Sequence, residues 1–149
     1  MSALVASQLE SLLGAFPLQS MMTELVPSGP KAGEPALVAG AMAESVPPPL
    51  QAAIWLYVDD LNRSHNVSQG IESEEGAFWH GIMHRREGDF SNAKYWFRRA
   101  GSLPTRLGLD PTALTDEVAS HFRDNPPHLV DAQRREWIML VEHCARQAE

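Results

Sequence analysis

Two histidines, His80 and His84, lie one helical turn apart in a stretch that is rich in Arg, Trp and acidic residues. At this spacing both imidazoles project from one side of a helix, about 40° apart around its axis. Two imidazoles placed in this way can hold one divalent metal ion, and Glu87 is positioned to ligate it or to act as a base. His65, at the end of the preceding apolar pattern, would supply a third nitrogen. The sequence therefore indicates a metal site formed by His65, His80 and His84.

A structural pair of histidines fits the same spacing. Imidazoles that hydrogen-bond to carbonyls or carboxylates need no metal, and a chain with six histidines often has two at i, i+4 by chance. The His-Glu-x-x-His motif of metalloproteases is absent, because Gly81 follows His80. Both interpretations of the pair stay open from the sequence.

A basic cluster surrounds the histidines. Six of the 12 Lys and Arg residues lie between positions 80 and 106, where only two acids oppose them. Guanidinium groups bind phosphates and carboxylates through paired hydrogen bonds, which indicates a site for a small anionic ligand. Neighbouring helical residues diverge by about 100°, so only half of the cluster can converge, and a solvated basic face is the alternative. The candidate ligand-binding residues are Arg85, Arg86, Asn92, Lys94 and Arg98.

The four tryptophans fall on four different predicted helices. Large aromatic side chains at helical spacing are typical of a core, and four of them would lock four helices together. If Trp79 and Trp96 were instead exposed with Tyr95, they would form a patch for a protein partner. The tryptophans are Trp55, Trp79, Trp96 and Trp137.

The segment 77–104 has a Gly in its first helix, Gly-Asp-Phe at the turn, small residues at fixed spacings and a closing Pro. It resembles one tetratricopeptide repeat, in which small residues let two helices approach closely and Phe97 fills the seam. His80 and His84 take positions that the repeat fills with apolar side chains, so the resemblance implies that both face the partner helix. The run 79–96 also resembles a string in an uncharacterised family of bacterial proteins, which implies no activity. The residues that carry the repeat are Gly81, Gly88-Asp89-Phe90, Ala93, Phe97, Ala100 and Pro104.

The elements that carry these residues are predicted to be helices. Apolar residues recur at helical spacing, and no window alternates with period two for long enough to predict a strand. Ser73 and Asp89 are good N-caps and Gly88 a good C-terminal cap, which predicts a central hairpin over 73–104. The expected fold is all-α, a single-domain bundle of five to seven helices over residues 1–149. Its other expected segments are helices at 2–16 and 18–25, a Pro-rich connector at 27–49 with a weak helix at 36–44, a helix with Leu50 through His65 on one face, a helix from Asp110, and a last helix of about 20 residues from Pro127.

Composition narrows the class of protein. The chain has 149 residues and a net charge of -7, which argues against a nucleic-acid binder. No apolar run approaches the roughly 20 residues that cross a bilayer, and the N-terminus does not resemble a signal peptide. The single cysteine, Cys144, fits a reducing compartment. We expect a cytoplasmic protein that binds neither nucleic acid nor membrane.

The sequence is compatible with two functions. The first is a non-catalytic binding or interaction module with its working surface on residues 79–99 and a protein or a small anionic ligand as partner. The second is a small metal-dependent enzyme of the hydrolase type, with a divalent metal as cofactor. In the enzyme the ligands would be His65, His80 and His84, the base Glu87, and the group that stabilises an anionic intermediate Arg85 or Arg86.

Overall fold

The computed structural model describes residues 3–148, and every regular element in that part of the chain is a helix. The all-α class is confirmed, although the described residues contain more helices than the five to seven expected. None of these helices is both long and apolar enough to cross a membrane. Residue 2, the first of the predicted helix 2–16, lies outside the described residues. The nine α-helices are α1 (Ala3–Ala15), α2 (Glu34–Ala43), α3 (Pro48–Tyr57), α4 (Leu61–Ser68), α5 (Glu74–Arg86), α6 (Phe90–Arg99), α7 (Leu103–Arg106), α8 (Pro111–His121) and α9 (Pro127–Gln147).

The helix that we predicted to carry Leu50 through His65 is in fact two helices. α3 ends at Tyr57 and α4 begins at Leu61. Between them Asp59 has a φ of 61°, a left-handed conformation in which an α-helix of L-residues cannot continue. Its buried carboxylate accepts a hydrogen bond of 2.8 Å from Nη2 of Arg86, which holds the break in place.

Other departures concern short segments. Asp60 starts α4 as its N-cap, its carboxylate accepting the backbone N–H of Arg63 at 3.2 Å. The helix expected over 18–25 is only a single 3-10 turn at Leu18–Ser20. Within the Pro-rich connector 27–49, the weak helix expected at 36–44 is present as α2. The four-residue α7 was not expected at all.

The central hairpin consists of α5 and α6, with the caps predicted from the sequence. The Ser73 hydroxyl accepts the backbone N–H of Gly76 at 3.2 Å, and the Asp89 carboxylate accepts that of Asn92 at 3.3 Å. Gly88 lies between the two helices with a φ of 87°, a conformation that glycine adopts without strain. These caps fix where α5 ends and α6 begins.

The two helices of the hairpin approach most closely at Gly81. A Cβ atom on this residue would lie 2.5 Å from Cδ1 of Phe97, well inside van der Waals contact. Phe97 in turn meets Phe78 edge to face, with ring centroids 5.8 Å apart. The small residue at position 81 therefore sets the distance between α5 and α6.

Three of the four tryptophans lie in the core, as predicted. Trp79 and Trp137 are fully buried and Trp55 nearly so, whereas Trp96 is half-buried. Trp137 stacks on Tyr57 at 4.6 Å and donates its indole N–H to the carbonyl of Ala53 at 2.9 Å. These contacts join α9 to α3 beneath the hairpin.

The segment between α1 and α2 is anchored by hydrogen bonds to residues near the C-terminal end of the chain. The Arg134 guanidinium of α9 donates to the carbonyls of Met21 and Gln19 at 3.0 and 2.9 Å. The side chain of Asn125 accepts the backbone N–H of Leu25 at 2.8 Å. Buried Leu25 packs in a second, smaller core between α8 and α9. The segment is thus part of the packed structure.

We expect Gly81→Ala to lower the free energy of unfolding by about 1–3 kcal/mol, because its Cβ would overlap the Phe97 ring. Gly40→Ala is the matched control, since Gly40 also lies inside a helix but its Cβ would be 3.9 Å from Trp55. The control should be neutral or stabilising by up to about 1 kcal/mol. Urea denaturation of the three proteins measures both values. Equal effects of the two substitutions would contradict the close approach.

Candidate metal centre on the central hairpin

The three predicted histidines meet in space. His80 and His84 lie one turn apart on α5, and the break at Asp59 turns α4 so that His65 faces them. The ring centroid of His65 is 4.7 Å from that of His80 and 5.3 Å from that of His84, both edge to face. The His80 and His84 rings stack at 4.8 Å. One ligand nitrogen from each ring lies within 4.8 Å of the other two.

This spacing is close to that of a metal site. Three nitrogens bound to one tetrahedral zinc ion at about 2.0–2.1 Å lie about 3.3 Å apart. Since the nitrogens lie within 4.8 Å of one another, each pair would have to shorten by at most about 1.5 Å. To bind one ion, the three rings would have to turn towards a common point by that amount.

Two side chains hold His84 in a defined orientation. Its Nδ1 lies 2.6 Å from Oε1 of Glu87, and Nδ2 of Asn92 donates to its Nε2 at 3.3 Å. Because the amide is a donor, we assign the proton of the neutral ring to Nδ1, which donates to the carboxylate. A carboxylate in this position orients a ligating imidazole and makes it a stronger ligand. Glu87 therefore supports the histidine cluster, whereas Asn92, which was predicted as an anion donor, occupies the Nε2 lone pair of His84 and would have to release it to a metal.

The cluster also extends towards the turn of the hairpin. His84, Glu87 and Asp89 form a second group whose ligand atoms lie within 4.8 Å of one another. Both carboxylates are exposed, whereas His84 is buried. Asp89 already caps α6, so the simplest role of this group is to orient His84.

His80 is buried without a hydrogen-bonding partner among the described residues. It is 4% exposed and stacks on Trp96, with ring centroids 3.8 Å apart and planes 12° from parallel. Burial, and then the proximity of His84 and His65, lower its pKa to about 4. His80 is therefore neutral at pH 7, which is the form that binds metals.

His65 has a similar environment but is only half-buried. Burial and the nearby His84 lower its pKa, while Glu87 opposes the shift. Its side chain likewise makes no hydrogen bond with the described part of the chain. His65 is therefore the most solvent-exposed of the three histidines.

Arg85, a predicted anion ligand, is instead fully buried. Its Nε donates to Oε1 of Gln133 at 2.8 Å, and its two terminal nitrogens bind the two carboxylate oxygens of buried Glu136. The guanidinium also lies over the Phe97 ring at 5.5 Å. An anion in solvent cannot reach this group, so Arg85 ties α5 to α9.

Arg86 is equally buried and, about 100° further around the axis, reaches a different side of α5. It donates to the carbonyls of Leu56 and Glu24 at 2.9 and 3.0 Å and to the Asp59 carboxylate. It thereby caps the end of α3 and holds the segment before α2. We therefore leave Arg85 and Arg86 out of the candidate site, and with them the stabilisation of an anionic intermediate.

The other predicted anion ligands are scattered along α6. Lys94 pairs with Asp116 of α8, and exposed Arg98 makes no polar contact with the described residues. Together with buried Arg85 and Arg86, they do not converge on one point. Arg99, which belongs to the predicted basic cluster, lies over the rings of Trp96 at 5.3 Å and Tyr95 at 5.7 Å.

Sequence reasoning thus missed one contributor near the site, Trp96 as the stacking partner of His80. Only the hairpin pattern could have predicted the contact between Trp96 and His80, because that pattern places α6 against the face of α5 that carries the histidines. Cys144 is buried, and burial raises the pKa of its thiol to about 12, so the thiol is protonated near pH 7.

No protein-family model, curated protein or solved structure matches this chain. The resemblance to a tetratricopeptide repeat and to a bacterial family therefore rests on the residues quoted above. The function has to be argued from the geometry of the site.

We expect Arg86→Met to lower the free energy of unfolding by about 3–5 kcal/mol, because it leaves the Asp59 carboxylate buried and unpaired. Arg106→Met removes an exposed ion pair with Glu74 and should cost less than about 1 kcal/mol. Urea denaturation compares the two variants. A small loss in Arg86→Met would contradict a structural role for this arginine.

The low pKa of His80 predicts a pH dependence of stability in metal-free protein. Between about pH 6.5 and 4 the unfolded chain binds a proton that folded His80 does not, so stability falls as the pH falls. We expect His80 to contribute on the order of 2 kcal/mol to that fall. Denaturation at several pH values should show the contribution lost in His80→Gln and kept in His121→Gln, which changes an exposed histidine of α8. Equal slopes in both variants would contradict the shift.

Proposed function

We propose that this protein is a non-catalytic metal-binding module in which His65, His80 and His84 hold one divalent transition-metal ion. The observation that carries the proposal is the convergence of three imidazole nitrogens within 4.8 Å of one another. The working surface on residues 79–99 then consists of this site and the exposed side chains beside it. Those side chains are Glu87, Tyr95, Arg98 and Arg99.

Two of the three rings have nitrogens that are free of hydrogen bonds to the described residues and available to a metal. A buried structural histidine has a partner for its nitrogens, because an unpaired buried polar group costs about 1–3 kcal/mol. His84 meets this condition through Glu87 and Asn92. His80 and His65 make no hydrogen bond within residues 3–148, but no nitrogen of either ring is fully buried, so water can solvate both. A shared metal ion would satisfy both.

The protonation of the cluster also supports metal binding. Each histidine must be neutral to bind a metal, and three charged imidazoles at these distances would repel one another. The lowered pKa values of His80 and His65 keep both rings neutral near pH 7. The Glu87 carboxylate compensates for positive charge that a metal would bring.

The donor set favours certain metals. Three imidazoles suit zinc, copper, cobalt and nickel, whereas magnesium and calcium prefer oxygen ligands. Three protein ligands leave the fourth position of a tetrahedral ion for water or for a side chain of a partner. A partner residue in that position would make the module an interaction site controlled by metal.

A metal-dependent hydrolase is the second candidate, favoured by the position of Glu87. Its carboxylate lies beside His84 and is 37% exposed, so it could accept a proton from a metal-bound water. No arginine converges on the site, because Arg85 and Arg86 are buried elsewhere. Ester hydrolysis by zinc-saturated protein, lost in Glu87→Gln at saturating zinc, would place this candidate ahead of the binding module.

Titration of the untagged, metal-free protein with zinc and cobalt, followed by calorimetry and by cobalt absorption spectra, tests the proposal. We expect one ion per chain and at least a hundredfold weaker binding in His65→Ala, which removes a half-buried ligand. Glu87→Gln should weaken binding about 10–100-fold. His121→Ala should bind like the unchanged protein. Absence of binding, or equal binding by His65→Ala and the unchanged protein, would overturn the proposal.

A further inference from the structure

A second site lies next to Trp96, outside the histidine cluster. A cleft of about 500 Å³ opens between α6 and the segment that joins α4 to α5. The joining segment contributes Gln69, Ile71 and Glu72, and α6 contributes Trp96 and Arg99. None of the three histidines lines it. A volume of this order is typical of sites for small molecules.

The cleft contains a cation that is held in place without an acidic partner. The Arg99 guanidinium lies over the rings of Trp96 and Tyr95, and its Nη1 donates to the Tyr95 hydroxyl at 3.4 Å. No carboxylate of the described residues forms an ion pair with it. The aromatic rings restrict its motion, so a ligand would not have to order a free side chain. Its remaining N–H groups suit a carboxylate.

A carboxylate lies in the same cleft, also without an ion-pair partner among residues 3–148. Glu72 is exposed at the end of the joining segment, just before α5. It does not pair with Arg99, although both line the cavity. Apolar surface also lines the cleft, from the side chain of Ile71 and the indole of Trp96.

We propose that this cleft binds a small zwitterion, an α-amino acid with an apolar side chain. The ligand carboxylate would accept paired hydrogen bonds from Arg99, and its ammonium group would donate to Glu72. Its side chain would lie against Ile71 and Trp96. A simple anion fits less well, because Glu72 would repel it. A simple cation also fits less well, because Arg99 would repel it. The proposal does not depend on a metal at the histidines.

Calorimetric titration of the full chain in the presence of a chelator tests the proposal. The probes are L-leucine, L-methionine and L-phenylalanine, together with two analogues of leucine. 4-Methylpentanoate has no ammonium group, and 3-methylbutylamine has no carboxylate. We expect at least one amino acid to bind, and we expect both analogues to bind about tenfold more weakly than L-leucine or worse.

Two variants and a matched control locate the binding. Arg99→Gln and Glu72→Gln should each weaken amino-acid binding about tenfold or more. Arg98→Gln is the control, because Arg98 is an exposed neighbour on α6 that does not line the cleft. The indole N–H resonance of Trp96 should shift on binding. No binding by any of the three amino acids, or equal losses in Arg98→Gln and Arg99→Gln, would overturn the proposal.

Discussion

The structure depends on the complete burial of α5. All residues from Gly76 to Arg86 are buried, so every side of this helix has a neighbouring element. Arg85 and Arg86 diverge by about 100° and pair with acids on different sides, Glu136 on α9 and Asp59 after α3. Two buried guanidinium groups with fixed partners allow α5 only one rotation about its axis. That rotation turns the histidine face towards α4 and α6.

The chemistry of the histidines follows from this rotation. Buried ion pairs contribute little net stability because desolvation offsets their attraction, but a wrong rotation would leave both arginines unpaired. The same low-polarity surroundings disfavour a charge on His80, and they lower its pKa to about 4. The buried arginines and the neutral imidazoles are thus consequences of one packing arrangement. The arginines take acidic partners inside the protein, and the imidazoles of His65 and His80 make no hydrogen bond with the described residues.

Local signals in the sequence predicted the hairpin, its caps and the close contact at Gly81, because each depends on residues near in sequence. They also predicted His65, His80 and His84 as one group. The break at Asp59 could not be predicted, since a left-handed aspartate depends on Arg86, 27 residues away. Burial of the arginines was missed for the same reason. A basic run resembles a solvated face unless the distant acids that neutralise it are known.

Trp96 contacts both the histidine cluster and the cleft beside it. Its ring stacks on His80 at 3.8 Å and also carries the guanidinium of Arg99 at 5.3 Å. If a metal draws His80 towards His65 and His84, the stacked indole must follow or lose contact, and Arg99 with it. Coupling between two sites needs an element whose position both ligands bias, and Trp96 is the side chain in contact with both. A metal at the histidines would then alter the affinity of the cleft, and by linkage a ligand in the cleft would alter metal affinity by the same factor.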